Sequence, residues 1–258
     1  MDLPSCANER CQIEIVAGKP HWSPDGGQML IQERPIPTRI TDANPDPYDT
    51  FQRPLLRGDG TGQAMMAVST GYAPVWLDNS HYGYLRLNDA RVPEWTVASV
   101  TDDEPQVALE AQDLVTAVPP SARPAQLFMR DTLATSPNQI AIIATTDLLT
   151  GTLEYVFLWD RLNAPRLVES GEGLQVAFSP DGRYLTIIEA NGTVSLTHTG
   201  TGQQQQFHSP QASPDWTADS QWLLTSYPNH LLLTNLEGDY EQIVLHDNSA
   251  CQQINWGQ

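Results

Sequence analysis

No run of about 18 apolar residues occurs anywhere in the chain, so a membrane-spanning helix is not expected. The first fifteen residues hold Asp2, Glu9, Arg10 and Glu14 and lack the apolar stretch of a secretory signal. Either the chain stays inside the cell or an exporting segment is missing from it. Positive charge is scarce: 13 Lys and Arg stand against 31 Asp and Glu, for a net charge of −18. A nucleic-acid backbone or an anionic bilayer would meet like charge there, so neither is expected as a partner. Cysteine is rare as well. Cys6 and Cys11 could close a small loop, Cys11 and Cys251 could tie the chain ends, or all three could pack as buried thiols.

Catalytic signatures are missing too. There is no Gly-x-Ser-x-Gly elbow and no Gly-x-x-x-x-Gly-Lys-Ser/Thr phosphate loop. The six histidines (His21, His81, His198, His208, His230 and His246) form no i, i+4 pair and lie near no cysteine pair, so neither a metal nor another cofactor is expected. Asp42, Asn44 and Asp46 alternate like the start of a calcium loop, with Asp49 three residues on. Pro47 and Arg53, however, stand where such a loop needs Gly and Glu, which favours a stiff acidic loop instead. Arg57-Gly58-Asp59 is an adhesion tripeptide of a length that chance supplies often.

What the chain does have is a repeated hairpin. In Phe178-Ser179-Pro180-Asp181-Gly182-Arg183-Tyr184-Leu185 an apolar strand ends on a ring, Pro180 presets a turn, and the Asp181 carboxylate can accept backbone N–H groups. Gly182 supplies the positive φ of the turn's exit. Trp22-Ser23-Pro24-Asp25-Gly26 matches it residue for residue. Trp216-Thr217-Ala218-Asp219-Ser220 and Trp76-Leu77-Asp78-Asn79-Ser80 keep the aromatic and an Asx group but carry Ser at the Gly position, which predicts turns of relaxed geometry. Ser136-Pro137-Asn138-Gln139 keeps the turn with Thr135 in the aromatic position, and Ile254-Asn255-Trp256 repeats only the incoming strand. Successive aromatic positions are 54, 59, 43, 38 and 40 residues apart. The last three approach the roughly 40–50-residue period of four-stranded propeller blades.

In chain order, residues 1–10 form a loose leader, and residues 11–258 one all-β domain with insertions at 34–60 and 101–126. Cys11–Val16 alternates as a half-buried strand. Five prolines between Pro35 and Pro54 exclude a regular central strand over most of that span, with one short strand expected near Thr38–Ile40. Residues 101–126 leave room for a strand and a helical turn. Past residue 126 strands follow one another regularly, with Asn163-Ala164-Pro165, Asn191-Gly192 and Glu237-Gly238-Asp239 at turns. The predicted fold is a β-propeller of four-stranded antiparallel blades, five to six in number. Six is favoured, the sixth a reduced blade joining Cys11–Val16 to Ile254–Trp256. The motif residues Trp22, Asp25, Gly26, Trp76, Asn79, Phe178, Asp181, Gly182, Trp216, Asp219 and Trp256 are structural, the rings expected between adjacent blades.

The Trp-Ser-Pro-Asp-Gly and Phe-Ser-Pro-Asp-Gly-Arg-Tyr-Leu segments resemble the repeat of the TolB-like (WD40-like, PD40) β-propellers, well over residues 11–33 and 126–256 and poorly over 34–125. The resemblance implies that Ser-Pro-Asp-Gly is a turn and not a catalytic pair. It also implies a binding habit and an extracytoplasmic place, with a cytoplasmic one left open. The expected function is a non-catalytic binding or scaffold module, a monomer that takes a protein or peptide partner. The insertion at 34–60, with Asp42, Asp46 and Asp49 in an acidic run, points to a partner with a basic patch. The alternatives are a propeller-class hydrolase or lyase with a site in the funnel, and the sensor portion of a larger envelope or signalling protein.

Overall fold

The computed structural model describes residues 15–17, 20–35, 53–58, 65–101, 104–148, 153–208, 215–226, 230–235 and 240–244. Short runs of β-branched and aromatic residues bounded by turn residues become strands, which pair as antiparallel sheets. Contacts gather them into two compact units, residues 1–111 and 112–258.

In the first unit β1 (Ile15–Ala17) and β2 (His21–Trp22) both pair with β3 (Met29–Pro35), at Glu33–Pro35 and Met29–Leu30 respectively. They are two pieces of one strand, with Pro20, which has no N–H to donate, between them. β4 (Pro54–Gly58) and β5 (Met65–Thr70) complete that sheet. The second sheet runs β6 (Tyr72–Trp76), β7 (His81–Leu87), β8 (Pro93–Ser99) and β9 (Gln106–Glu110), and α1 (Ala111–Ala117) follows directly. The helix ends where the Arg123 guanidinium donates to the carbonyls of Thr116 and Val118, both at 3.1 Å.

Two sequence expectations change here. The strand predicted at Cys11–Val16 is not spare: its observed part, Ile15–Ala17, belongs to the first sheet, so it does not build a reduced sixth blade. Its proposed partner, Ile254–Trp256, lies outside the described residues, as do the strand near Thr38–Ile40 and the leader at 1–10. Within the insertions assigned to 34–60 and 101–126, Pro54–Gly58 and Gln106–Glu110 are strands of the first two sheets. Gln106–Glu110 and α1 are the strand and the helical turn expected within 101–126, whereas no strand was expected at Pro54–Gly58.

In the second unit one sheet comprises β10 (Phe128–Ser136), β11 (Gln139–Thr145), β12 (Leu153–Trp159) and β13 (Arg166–Glu172). The next comprises β14 (Gln175–Phe178), β15 (Tyr184–Ile188), β16 (Thr193–His198) and β17 (Gln204–His208). β18 (Asp215–Trp216), β19 (Trp222–Ser226), β20 (His230–Asn235) and β21 (Tyr240–Val244) form the last. Five sheets are therefore present among the described residues, each in meander order. The pairing of third with fourth strand carries a bulge in three of them, at Leu55/Leu56, Trp95/Thr96 and Val156/Phe157, which adds twist toward the outer edge.

Sheets within a unit share their cores. Leu30 and Leu55 of the first sheet pack with Trp76, Tyr82, Tyr84 and Ala98 of the second. Ala141, Val156 and Leu158 pack with Leu174, Leu185 and Ile187 of the following sheet, and Phe178 joins them. Val194 and Leu196 meet Trp216 and Leu223. A buried indole removes about 200 Å² from water, on the order of 5 kcal/mol gross, whereas one hydrogen bond adds net about 1 kcal/mol. Ring burial therefore dominates, and the indole N–H needs only to be satisfied.

Gly83 shows how close this packing is, since a Cβ there would stand 2.1 Å from Cζ2 of the fully buried Trp95. Gly83→Ala should lower stability by about 2–3 kcal/mol in chemical denaturation. Gly200→Ala, whose Cβ meets nothing nearer than 3.4 Å, should change it little. Equal midpoints for the two variants would contradict the packing.

Candidate functional site

The repeated turn is the same object three times. Ser23, Ser179 and Thr217 each place a hydroxyl 2.6–2.7 Å from the carboxylate two residues on, and donate to it. That carboxylate accepts the N–H two residues further along: Gly27 on Asp25, Arg183 on Asp181, Gln221 on Asp219. The hydroxyl oxygen in turn accepts the N–H of Gln28, Tyr184 or Trp222. Gly26 and Gly182 have φ of +70° and +73°, and Ser220 takes the same position at +60°. The relaxed geometry predicted at Ser220 is thus absent; its turn keeps every bond of the glycine versions. The turn at Ser80 is of another kind, in which Asp78 accepts the N–H groups of Ser80 and His81, both at 2.7 Å.

These turns also lace neighbouring sheets together. The Asp25 N–H donates to Asn79 Oδ1 at 3.0 Å, and the Asp181 N–H to Ser220 Oγ at 2.9 Å. Trp76 Nε1 donates to the His21 carbonyl at 2.7 Å, and Trp216 Nε1 to Thr186 Oγ1 at 2.8 Å while its ring stacks on Tyr184. Trp22 is the exception among the described rings, with 49% of its surface exposed. Trp256 lies outside the described residues.

Hydrogen bonds set the titration of the turn carboxylates. The Ser23 hydroxyl and Gly27 N–H hold Asp25 low, and the Thr217 hydroxyl and Gln221 N–H do so for Asp219. At Asp181 partial burial pushes upward, but the N–H of Arg183, the Ser179 hydroxyl and the Arg183 guanidinium outweigh it. Burial also opposes ionisation at Asp78, yet the bonds from Ser80 and His81 bring it to about 2. Asp78, Ser80 and His81 hold the three residue types of a hydrolytic triad. His81 Nδ1, however, faces both the Ser80 hydroxyl at 3.0 Å and the Asp78 carboxylate at 3.1 Å. A relay needs the two ring nitrogens for two different partners, so the group caps a turn and activates no nucleophile.

A concavity among the described residues lies in the second unit, where three hairpin ends meet. It encloses about 390 Å³. Asn138 and Gln139 come from the β10–β11 turn, Asp160, Asn163, Ala164 and Arg166 from the β12–β13 turn, and Thr199 to Gly202 from the β16–β17 turn. Leu158 and Trp159 line it as well. Its walls are fixed. Gln139 Nε2 donates to Thr199 Oγ1 at 3.1 Å across the two sheets, and the Thr199 hydroxyl lies 3.0 Å from the Gly182 carbonyl. Asp160 Oδ1 accepts the N–H groups of Leu162 and Asn163, Oδ2 accepts the Asn163 amide, and Trp159 Nε1 donates to the Asn163 carbonyl. The turn tip is therefore rigid, and Leu162 projects from it with 82% of its surface exposed. Sequence reading marked Asn163-Ala164-Pro165 and Pro137-Asn138 as turns, but not their convergence, which depends on how one sheet stacks on the next. None of the motif residues lines this groove.

Among the described residues, no cluster of three or more His, Cys, Asp or Glu side chains is placed to hold a metal ion. No helix there is long and apolar enough to cross a membrane. No protein-family model matches the chain, and no curated protein matches it in sequence. Solved structures do. An oligogalacturonate lyase in complex with manganese superposes with a TM-score of 0.54 at 12% identity, over 91% of this chain and 67% of that one. A prolyl endopeptidase gives 0.57 at 13%, over 88% of this chain and 34% of that one. TolB from Acinetobacter baumannii gives 0.47 at 13%, over 89% of this chain and 54% of that one. The chain thus spans about a third to two thirds of these proteins' lengths. The first two matches show the fold, and it is the β-propeller.

Two outcomes follow for the turns. Ser220→Ala keeps the unfavourable φ and loses the bond to Asp181, so it should cost about 1 kcal/mol in chemical denaturation. Ser220→Gly relieves about as much strain as it loses in bonding and should be near neutral. Equal losses would show that the hydroxyl bond contributes everything and the backbone strain nothing. For Asp78 the folded carboxyl titrates below its ordinary range, so its contribution is present above about pH 4 and disappears as pH falls toward about 2. Asp78→Asn should flatten the acid limb of a stability–pH curve, and an unchanged limb would contradict the assignment.

Proposed function

We propose that this chain is a non-catalytic binding module of the TolB-like kind, and that it takes a protein or peptide segment in the groove of the second unit. The observation that carries this reading is the groove itself: a rigid concavity walled by amide, hydroxyl and guanidinium groups, with an apolar side chain projecting from its rim. Amide and hydroxyl groups pair with peptide N–H and C=O groups, and an exposed leucine on a fixed turn offers contact to a macromolecular surface. The Ser-Pro-Asp-Gly turns support the TolB-like assignment, as their polar atoms are spent on backbone bonds. Hydrolysis is disfavoured by the wiring of His81, in which one ring nitrogen serves both neighbours. The net charge of −18 favours, at long range, a partner that is basic outside the segment held in the groove. Of residues 34–60, the insertion read as the docking loop, 36–52 and 59–60 lie outside the described residues.

The test is selection from a random linear peptide library on the purified chain, with Ala164→Trp as control. Ala164 is exposed and lines the groove, so an indole there should fill it without disturbing the core. Selected peptides should bind the unaltered chain at least about tenfold more tightly than the variant. Equal binding by the variant would remove the groove from the account, and cleavage of peptides or glycans by the chain would overturn the non-catalytic assignment.

A further inference from the structure

We infer that the segment held in the groove is acidic, its carboxylate paired with the guanidinium of Arg166. This rests on the binding-module reading and adds the charge of the occupant. Of the five arginines in residues 112–258, three are committed. Arg123 caps α1, Arg130 pairs with Glu154, and Arg183 pairs with Asp181. Arg161 and Arg166 make no hydrogen bond or ion pair among the described residues, and both stand on the β12–β13 turn that borders the groove.

An exposed arginine is by itself ordinary surface. Arg166 differs because the neighbouring hairpin leaves a place for it: a Cβ on Gly202 would stand 2.8 Å from its Nη1, and Gly202 has a φ of +73° that side chains other than glycine rarely adopt. The guanidinium thus lies against glycine backbone across the junction of two sheets, facing the concavity. Asp160 is the one carboxylate among the residues lining the groove, and its oxygens already accept three N–H groups from its own turn. Arg166 is the one guanidinium among the lining residues, and with the Asp160 oxygens turned to their own N–H groups it is the charged donor left for an occupant of the groove.

The fork of a guanidinium matches the two oxygens of a carboxylate, with bonds roughly twice as strong as neutral ones. The exposed Asn138 amide, which has no partner among the described residues, stands in the same groove to meet the segment's backbone. Leu162 gives the contact that a free carboxylate ion would not use and a peptide would.

The experiment uses the same library on the intact chain. Peptides selected by the unaltered protein should be enriched in Asp and Glu, and fluorescence anisotropy of one such labelled peptide should show binding weakened about tenfold or more by Arg166→Gln. Arg166→Lys should fall between, and replacing the peptide's Glu by Gln should weaken binding to the unaltered protein but hardly further to Arg166→Gln. Peptides that depend on the open groove, are lost with Ala164→Trp, and show neither acidic enrichment nor sensitivity to Arg166→Gln would overturn this inference and leave the proposed function standing. No selected peptide at all, with an acidic oligosaccharide binding instead, would overturn both.

Discussion

Everything in this chain follows from one constraint: a four-stranded twisted sheet has two faces and cannot bury either of them alone. β11 and β12, in which every residue but the first is buried or nearly so, are possible only because a neighbouring sheet covers them. Trp76 and Trp216 end short strands where sheets meet, so that each indole belongs to the core it shares with the preceding sheet. Trp216 shows why Trp suits the place. Its ring stacks on Tyr184 with centroids 6.0 Å apart, and its N–H finds the Thr186 hydroxyl in the sheet it packs against. A phenyl group would bury similar area without fixing the ring's direction.

Polar contacts add register to this packing. Glu154 is buried to 3% exposure, pairs with the Arg130 guanidinium, and accepts the Leu174 N–H at 2.6 Å just ahead of β14. A carboxylate in that position is tolerable only with its bonds complete, since an unpaired buried charge costs several kcal/mol. It therefore fixes where the chain leaves one sheet for the next. The turn-to-turn bonds from Asp25 to Asn79 and from Asp181 to Ser220 do the same at the other end of the strands. Hydrophobic area decides that sheets stack, and these few directional bonds decide in what register.

What could be read from the residues follows the same division. Strand, turn and aromatic positions were legible because local chemistry dictates them. Pro180-Asp181-Gly182 can hardly be anything but a turn, and Ser220, although not glycine, holds the left-handed backbone of a turn whose bonds Thr217 and Asp219 supply, while its own hydroxyl accepts the Asp181 N–H of the neighbouring sheet. A strand that presents little pattern was not legible. β4 sits in a proline-rich stretch where its own Pro54 argues against a strand, although at a strand's first residue a missing N–H costs nothing. The groove was invisible for a stronger reason. Asn138, Arg166 and Thr199 are neighbours only through the lateral stacking of two sheets, and no spacing along the chain encodes that.

The fold leaves function to its edges. Lyases and peptidases share this architecture at 12–13% identity, so the sheets cannot be what distinguishes their chemistries. On this chain the motif residues are consumed in holding turns together, with hydroxyl, carboxylate and backbone N–H all paired. The uncommitted groups lie elsewhere, on the ends of the β10–β11, β12–β13 and β16–β17 hairpins, where the sheets require only that the chain reverse direction. There the sequence is free to vary without cost to the core, and there it places arginine, amides and an exposed leucine on backbone that its own hydrogen bonds have already made rigid. A preformed surface of that kind loses little entropy when it is occupied, which is the physical argument for a recognition site over an unremarkable loop.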